Sequence, residues 1–232
     1  MDTLKTISSQ FLRILLILTL VYSCSSNDDE GQSDNNPQSG GNNINFTVSN
    51  SAAANLNDAY NITYPDNDDQ AATMIYGHVY NEDTDEGTIR VVSLTFAYFV
   101  SDNDYYDVSM TFPAGIGSHT LGEFQTSSTG MITEYPLSHM VLNFDAGRAF
   151  YDSDGDLDND IMTDLLSKNV VVTVTEYEET TNSFGLLTLS HIKGTIGNSG
   201  NQFFHKAFTG PTTDPEELLC SVTADFEYNI QD

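Results

Sequence analysis

Apolar and polar residues alternate with a period of two along most of the chain, most cleanly at the C-terminus. There Cys220, Val222, Ala224, Phe226, Tyr228 and Ile230 fall on one face, and Ser221, Thr223, Asp225, Glu227, Asn229 and Gln231 on the other. Successive side chains of a strand point to opposite faces, so this pattern predicts a half-buried strand with Cys220 as an inert inward thiol. A second pair of runs reads the same way. Val92, Leu94, Phe96, Tyr98 and Val100 share one face, Tyr106, Val108, Met110 and Phe112 share another, and the polar Ser101-Asp-Asn-Asp104 lies between them. That arrangement predicts a β-hairpin. Further strands are expected over 44–49, 59–64, 73–80, 138–146, 170–177, 184–196 and 202–208, where Val170, Val172 and Val174 suit a packed β surface. One stretch reads as helical: Ile161, Leu165 and Leu166 recur at helical spacing, Asp158 or Asp160 stands where a cap belongs, and Lys168-Asn169 ends it. The expected fold is all-β, a single antiparallel β-sandwich of immunoglobulin-like or jelly-roll-like type. It would have about 8–10 strands and one short helix near 160–168.

The first 43 residues lack this alternation. Lys5 and Arg13 precede the apolar run Ile14–Tyr22, followed by Ser23 and Cys24. The run is about half of the roughly 20 residues that span a bilayer, so residues 1–23 read as a secretory signal peptide. Residues 25–43 contain no apolar side chain apart from Pro37 and end in Ser39-Gly-Gly-Asn-Asn43. Residues 24–43 therefore read as a flexible acidic tether, and 44–232 as the folded domain.

Val21-Tyr-Ser-Cys24 resembles a bacterial lipobox. The resemblance implies acylation of Cys24 and cleavage before it. Each acyl chain would add about 0.8 kcal/mol per buried CH₂, so two or three chains anchor a soluble domain. Ser25-Ser-Asn-Asp-Asp-Glu30 resembles the acidic export signal of Bacteroidota surface lipoproteins, which implies display on the outer face of the outer membrane. The segments Gly117-Ser-His-Thr-Leu-Gly122 and His191-Ile-Lys-Gly-Thr195, with the tether, are similar to features of the small β-sandwich lipoproteins of unknown function in that group. With Cys24 acylated, Cys220 has no partner for an intramolecular disulfide.

Charge narrows the partners. Seven Lys and Arg stand against 34 Asp and Glu, a formal net charge of -27. A nucleic-acid binder needs a basic face, and an anionic membrane surface would repel this chain, so membrane contact is expected through the lipid anchor alone. The acids are densest in Asp152-Ser-Asp-Gly-Asp-Leu-Asp-Asn-Asp160. Ca²⁺ takes six to eight hard oxygen ligands, and alternating carboxylates converge on one point in a tight loop. The stretch resembles the Asp-rich calcium loops of EF-hand-like, dockerin and thrombospondin type 3 repeats. That resemblance makes Asp152, Asp154 and Asp156 the first ligands, followed by Asp158 or the Leu157 carbonyl, with Asp160 in the same set. Leu157 stands where the pattern has Gly, and Thr163 where it has a bidentate Glu, which implies a weak, structural ion. The alternative is a solvated acidic loop.

Catalysis has little support. His78, His119, His139, His191 and His205 are scattered without metal-ligand spacing, and no G-x-S-x-G elbow occurs. Ser118 and His119 are adjacent on a predicted strand and so point to opposite faces. A pair of carboxylates for glycan hydrolysis stays as an alternative. Tyr76, His78 and Tyr80 share one strand face, either as a platform for sugar rings or as a packed second sheet face. The expected function is a non-enzymatic binding or structural module anchored in the outer membrane, with a glycan or protein ligand. The alternative is a polysaccharide-binding or glycan-hydrolysing surface lipoprotein. If the Asp152–Asp160 loop binds Ca²⁺ only when folded, the ion adds about 2.7 kcal/mol of stability at 100 times its Kd. The melting temperature should then rise with Ca²⁺ and fall with chelator. Asp154→Ala and Asp156→Ala should abolish the difference while Asp85→Ala preserves it.

Overall fold

The computed structural model describes residues 41–64, 72–101, 104–126, 132–144, 150–151, 161–162, 164–197, 203–207 and 216–230. Ser39–Asp232 make one compact unit. Its strands, in chain order, are β1 (Asn42–Ser49), β2 (Ala59–Tyr64), β3 (Ala72–Thr84), β4 (Gly87–Ser101), β5 (Asp104–Pro113), β6 (Gly117–Thr120), β7 (Gln125–Thr126) and β8 (Ile132–Glu134). They continue as β9 (His139–Phe144), β10 (Phe150–Tyr151), β11 (Ile161–Met162), β12 (Leu165–Ser167), β13 (Val171–Thr181), β14 (Leu187–Ile196), β15 (Phe203–Ala207) and β16 (Glu216–Asn229). Every described pairing is antiparallel.

The main pairing runs β3-β4-β5-β9-β12-β15-β16-β14-β13-β6, with β1 also on β16 and β2 outside β1. Strand β16 joins two halves. Its first part, Glu216–Cys220, zips onto β15, with Cys220 opposite Phe203. The remainder turns to other partners, Ser221–Glu227 facing β1 and Ala224–Asn229 facing β14. The alternating face of β16 turns inward: Cys220, Val222, Phe226 and Tyr228 all belong to one core cluster, with Ala224 packed against it. That cluster takes Val92, Leu94 and Phe96 from β4, Val108, Met110 and Phe112 from β5, and Ile44 and Phe46 from β1. Each large side chain so enclosed contributes roughly 1.5–3 kcal/mol relative to exposure.

The β4–β5 hairpin forms as the alternation predicts, with Phe96 opposite Val108 and Val92 opposite Phe112. The expected helix near 160–168 does not form: Ile161–Met162 and Leu165–Ser167 are strands, and among the described residues the helical structure is the 3₁₀ turn Ala54–Leu56. The reason lies in β12. Leu165 enters the main core, while Leu166 faces the other way into a small cluster with Phe124 and Phe204. A strand covered on both faces carries adjacent apolar residues, which imitates helical spacing over so short a run. Among the described residues sixteen strand segments stand where 8–10 were expected, because β6–β8 and β10–β12 are two to four residues long, too short for alternation to register.

Gly194 is packed tightly between β13 and a buried ring. A Cβ there would lie 2.6 Å from the Thr173 carbonyl oxygen and 2.7 Å from Phe226 Cζ. Backbone and a buried ring are both slow to yield, so Gly194→Ala should cost about 1–3 kcal/mol by overpacking. Denaturant melts should record that loss as a lower midpoint, and an unchanged midpoint would show that Phe226 can move aside.

Candidate functional site

The outer face of β3, β4, β5 and β9 concentrates the functional groups. On β3 the inward residues Ile75 and Val79 pack against the core, which turns Met74, Tyr76, His78 and Tyr80 outward. Tyr76 is 56% exposed and Met74 53%. The rings stack along the strand, with centroids 5.1 Å apart for Tyr76 and His78 and 5.2 Å for His78 and Tyr80. Opposite them on β4 stand small residues: Ala97 beside Met74, Thr95 beside Tyr76, Ser93 beside His78. Beyond these come Asp107, Ser109 and Thr111 of β5. The result is a row of rings bordering a floor of small polar side chains. Burial holds His78 below the ordinary histidine pKa. His78 Nδ1 is enclosed and has no hydrogen-bond partner among the described residues.

A polar row crosses the same face. Asp107 lies opposite Asn143, and the β9–β12 register, Leu165 opposite Leu142, carries on to Asp164. Asp107 is only 6% exposed. Its carboxylate accepts from Asn143 Nδ2 at 3.0 and 3.1 Å, from Ser109 Oγ at 3.4 Å, and from the Tyr105 hydroxyl. Burial still raises its pKa against the pull of these donors. Burial also raises Asp164 to about 6, helped by the charge of Asp107. Tyr105 is committed to Asp107 and meets Phe99 edge-on at 6.1 Å. Sequence reasoning missed this row because register, not composition, assembles it. The one available signal was an Asp in mid-strand, where Asp is depleted.

Other candidates resolve into structural roles. Ser51 Oγ donates to the Ala53 carbonyl at 3.1 Å and lies 2.7 Å from His205 Nε2. Both side chains are buried, Ser51 at 8% exposure and His205 at 0%, so the pair lies inside the fold and not in an open cleft. His119 bonds the Gly115 carbonyl at 3.0 Å, and Ser118 on the opposite face pairs with Thr173. His139 Nδ1 bonds the Pro136 carbonyl at 2.7 Å, and His191 sits between Asn229 and Glu176. A groove of about 470 Å³ on the other half is lined by Asn45, Asn61, Thr195, Thr223 and Asp225. Its amides are engaged with one another: Asn45 donates to Asp225 at 2.9 Å, and Asn61 donates to Asn45. Cys24 and the five calcium candidates, Asp152, Asp154, Asp156, Asp158 and Asp160, lie outside the described residues. Among the described residues no group of three His, Cys, Asp or Glu is arranged to hold a metal.

No family model, curated protein or solved structure matches this chain.

The raised Asp164 carries a sign. Between its ordinary 3.8 and about 6, the folded chain keeps a proton that the unfolded chain releases. The stabilisation is therefore complete at low pH and lost as pH rises through that window. Melting temperatures taken from pH 4 to 7 should fall less steeply for Asp164→Asn than for the wild type. Parallel slopes would assign the dependence to other groups.

Proposed function

We propose that this protein is a lipid-anchored module of the outer-membrane surface that binds a glycan without transforming it. Its two pairing halves would pack face to face as a β-sandwich around the shared core. The observation that carries the reading is the stacked row Tyr76, His78, Tyr80 on the outer face of β3, with Tyr76 and Met74 open to solvent. Rings in register offer flat apolar surface to successive pyranose faces, and Ser93, Thr95 and Ser109 offer hydroxyls at the edges. Binding is favoured over hydrolysis because Asp107 is enclosed beneath its donors instead of facing an open cleft. Anchoring through Cys24, display directed by Asp28, Asp29 and Glu30, and a structural Ca²⁺ at Asp152, Asp154, Asp156, Asp158 and Asp160 complete the proposal.

Affinity electrophoresis of the soluble Cys24→Ala chain through gels containing xylan, mannan or β-glucan tests the binding. At least one polysaccharide should retard it, and Tyr76→Ala should weaken that retardation about tenfold or more, as loss of an aromatic anchor does. Migration that none of the three alters, or retardation indifferent to Tyr76→Ala and Tyr80→Ala, would end the glycan reading.

A further inference from the structure

The β13–β14 hairpin ends in an apolar tip. Phe184 is 86% exposed, Leu186 64% and Leu187 52%. The tip is not a loose loop. Asn182 N–H donates to the Leu186 carbonyl at 2.9 Å, and Gly185 N–H donates to the Asn182 carbonyl at 2.9 Å. Asn182 Oδ1 accepts from the backbone N–H groups of Phe184 and Leu186, both at 3.0 Å. Gly185 supplies the left-handed backbone, φ 77°, that closes the turn. Three large apolar side chains are thus held in water on a fixed support, with little ordering left to be done on binding.

The surroundings of the tip are acidic. Arg90 Nη2 meets Glu179 Oε2 at 2.6 Å and fastens the start of β4 to the end of β13. Further from the turns, Tyr228, paired with Ile192 and through it with Tyr177, packs on Gly77 beside Leu94. Passing from Leu94 to Arg90 and from Tyr177 to Glu179 leads toward each hairpin's turn. Both turns therefore project toward the same end of the domain. The β3–β4 turn brings exposed Glu82, Asp83, Asp85 and Glu86 to that end, joined by exposed Glu178.

We propose that Phe184, Leu186 and Leu187 form a knob that docks into an apolar pocket rimmed by Lys and Arg on a partner protein. Exposed apolar surface gains by burial, and an acidic rim selects a basic one. The same acids disfavour a lipid surface carrying anionic headgroups. A second copy of this chain is a poor partner. It has seven Lys and Arg in all, and Arg90, Lys168 and Lys193 are engaged with Glu179, Glu123, Glu217 and Glu227. This surface is separate from the ring strip of β3, so either proposal can fail alone.

A benzophenone amino acid at position 186 of the full chain, photolysed in the cells that produce it, tests the docking. The expected product is an adduct with one discrete protein whose cross-linked peptide contains Lys or Arg. Phe184→Ser should lower its yield about 30-fold, the loss of an aromatic hot spot. Joint Glu82→Gln, Asp83→Asn, Asp85→Asn and Glu86→Gln should lower it about tenfold at low salt. The same reagent at Leu219, 45% exposed on the part of β16 that pairs with β15, should give no such adduct. Adducts only with lipid, only with a second copy, or with a protein indifferent to these substitutions overturn the proposal, as does the absence of any adduct. Unchanged melting curves establish that the substitutions leave the fold intact.

Discussion

The whole arrangement depends on one strand meeting two obligations. The inner face of β16 is apolar from Cys220 to Tyr228 and must stay buried, while its backbone serves first one ladder and then another. A backbone polar group left unpaired in the interior costs about as much as a lost hydrogen bond, so the change of partner has to occur without a gap. Between Cys220 and Ser221 the pairing passes from β15 to β1, with no residue skipped. Phe226 then reaches Gly194 and Phe112, and Tyr228 reaches Gly77, so the side chains of β16 touch both halves. The glycines are where β14 and β3 make room for those rings.

Few cations are available to an acidic surface, and they occupy positions that join segments remote in sequence. Arg90 ties β4 to β13, Lys168 bridges Glu123 and Glu217, and Lys193 pairs with Glu227 across β14 and β16. An exposed pair contributes no more than about 1 kcal/mol. In a chain of net charge -27 each also relieves local repulsion between carboxylates. Arg90 does more than neutralise: its guanidinium lies against Glu179, which also accepts from Tyr177, so the pair joins two hairpin stems at one point.

Strands with one wet face were legible in the sequence, because alternation follows directly from one-sided burial. The later part of β16 is of this kind, and so is the outward set Met74, Tyr76, His78, Tyr80, while β4 and β5 keep the alternation although Asp107 and Thr111 on their polar face are enclosed. Legibility failed where both faces are dry, as at Leu165 and Leu166, since neighbouring apolar residues then carry no period. It failed again for Asp107, Asn143 and Asp164. Period two tells which face a residue occupies and nothing about what lies opposite; that is fixed by the pairing of β5 with β9 and of β9 with β12, contacts of long sequence separation. Phe184 shows a third limit. An apolar residue among turn formers has the same pattern whether it folds back onto the core or stands in water.

Cys220 is fully enclosed, opposite Phe203 where β15 joins β16, and burial pushes its thiol up to about 12. The thiolate is the form that reacts, so the folded protein offers alkylating or oxidising reagents almost nothing. Reaction requires the β15–β16 junction to part and admit water. The rate at which this sulfur is modified is therefore a clock for that opening, set at the point where the two ladders change partners.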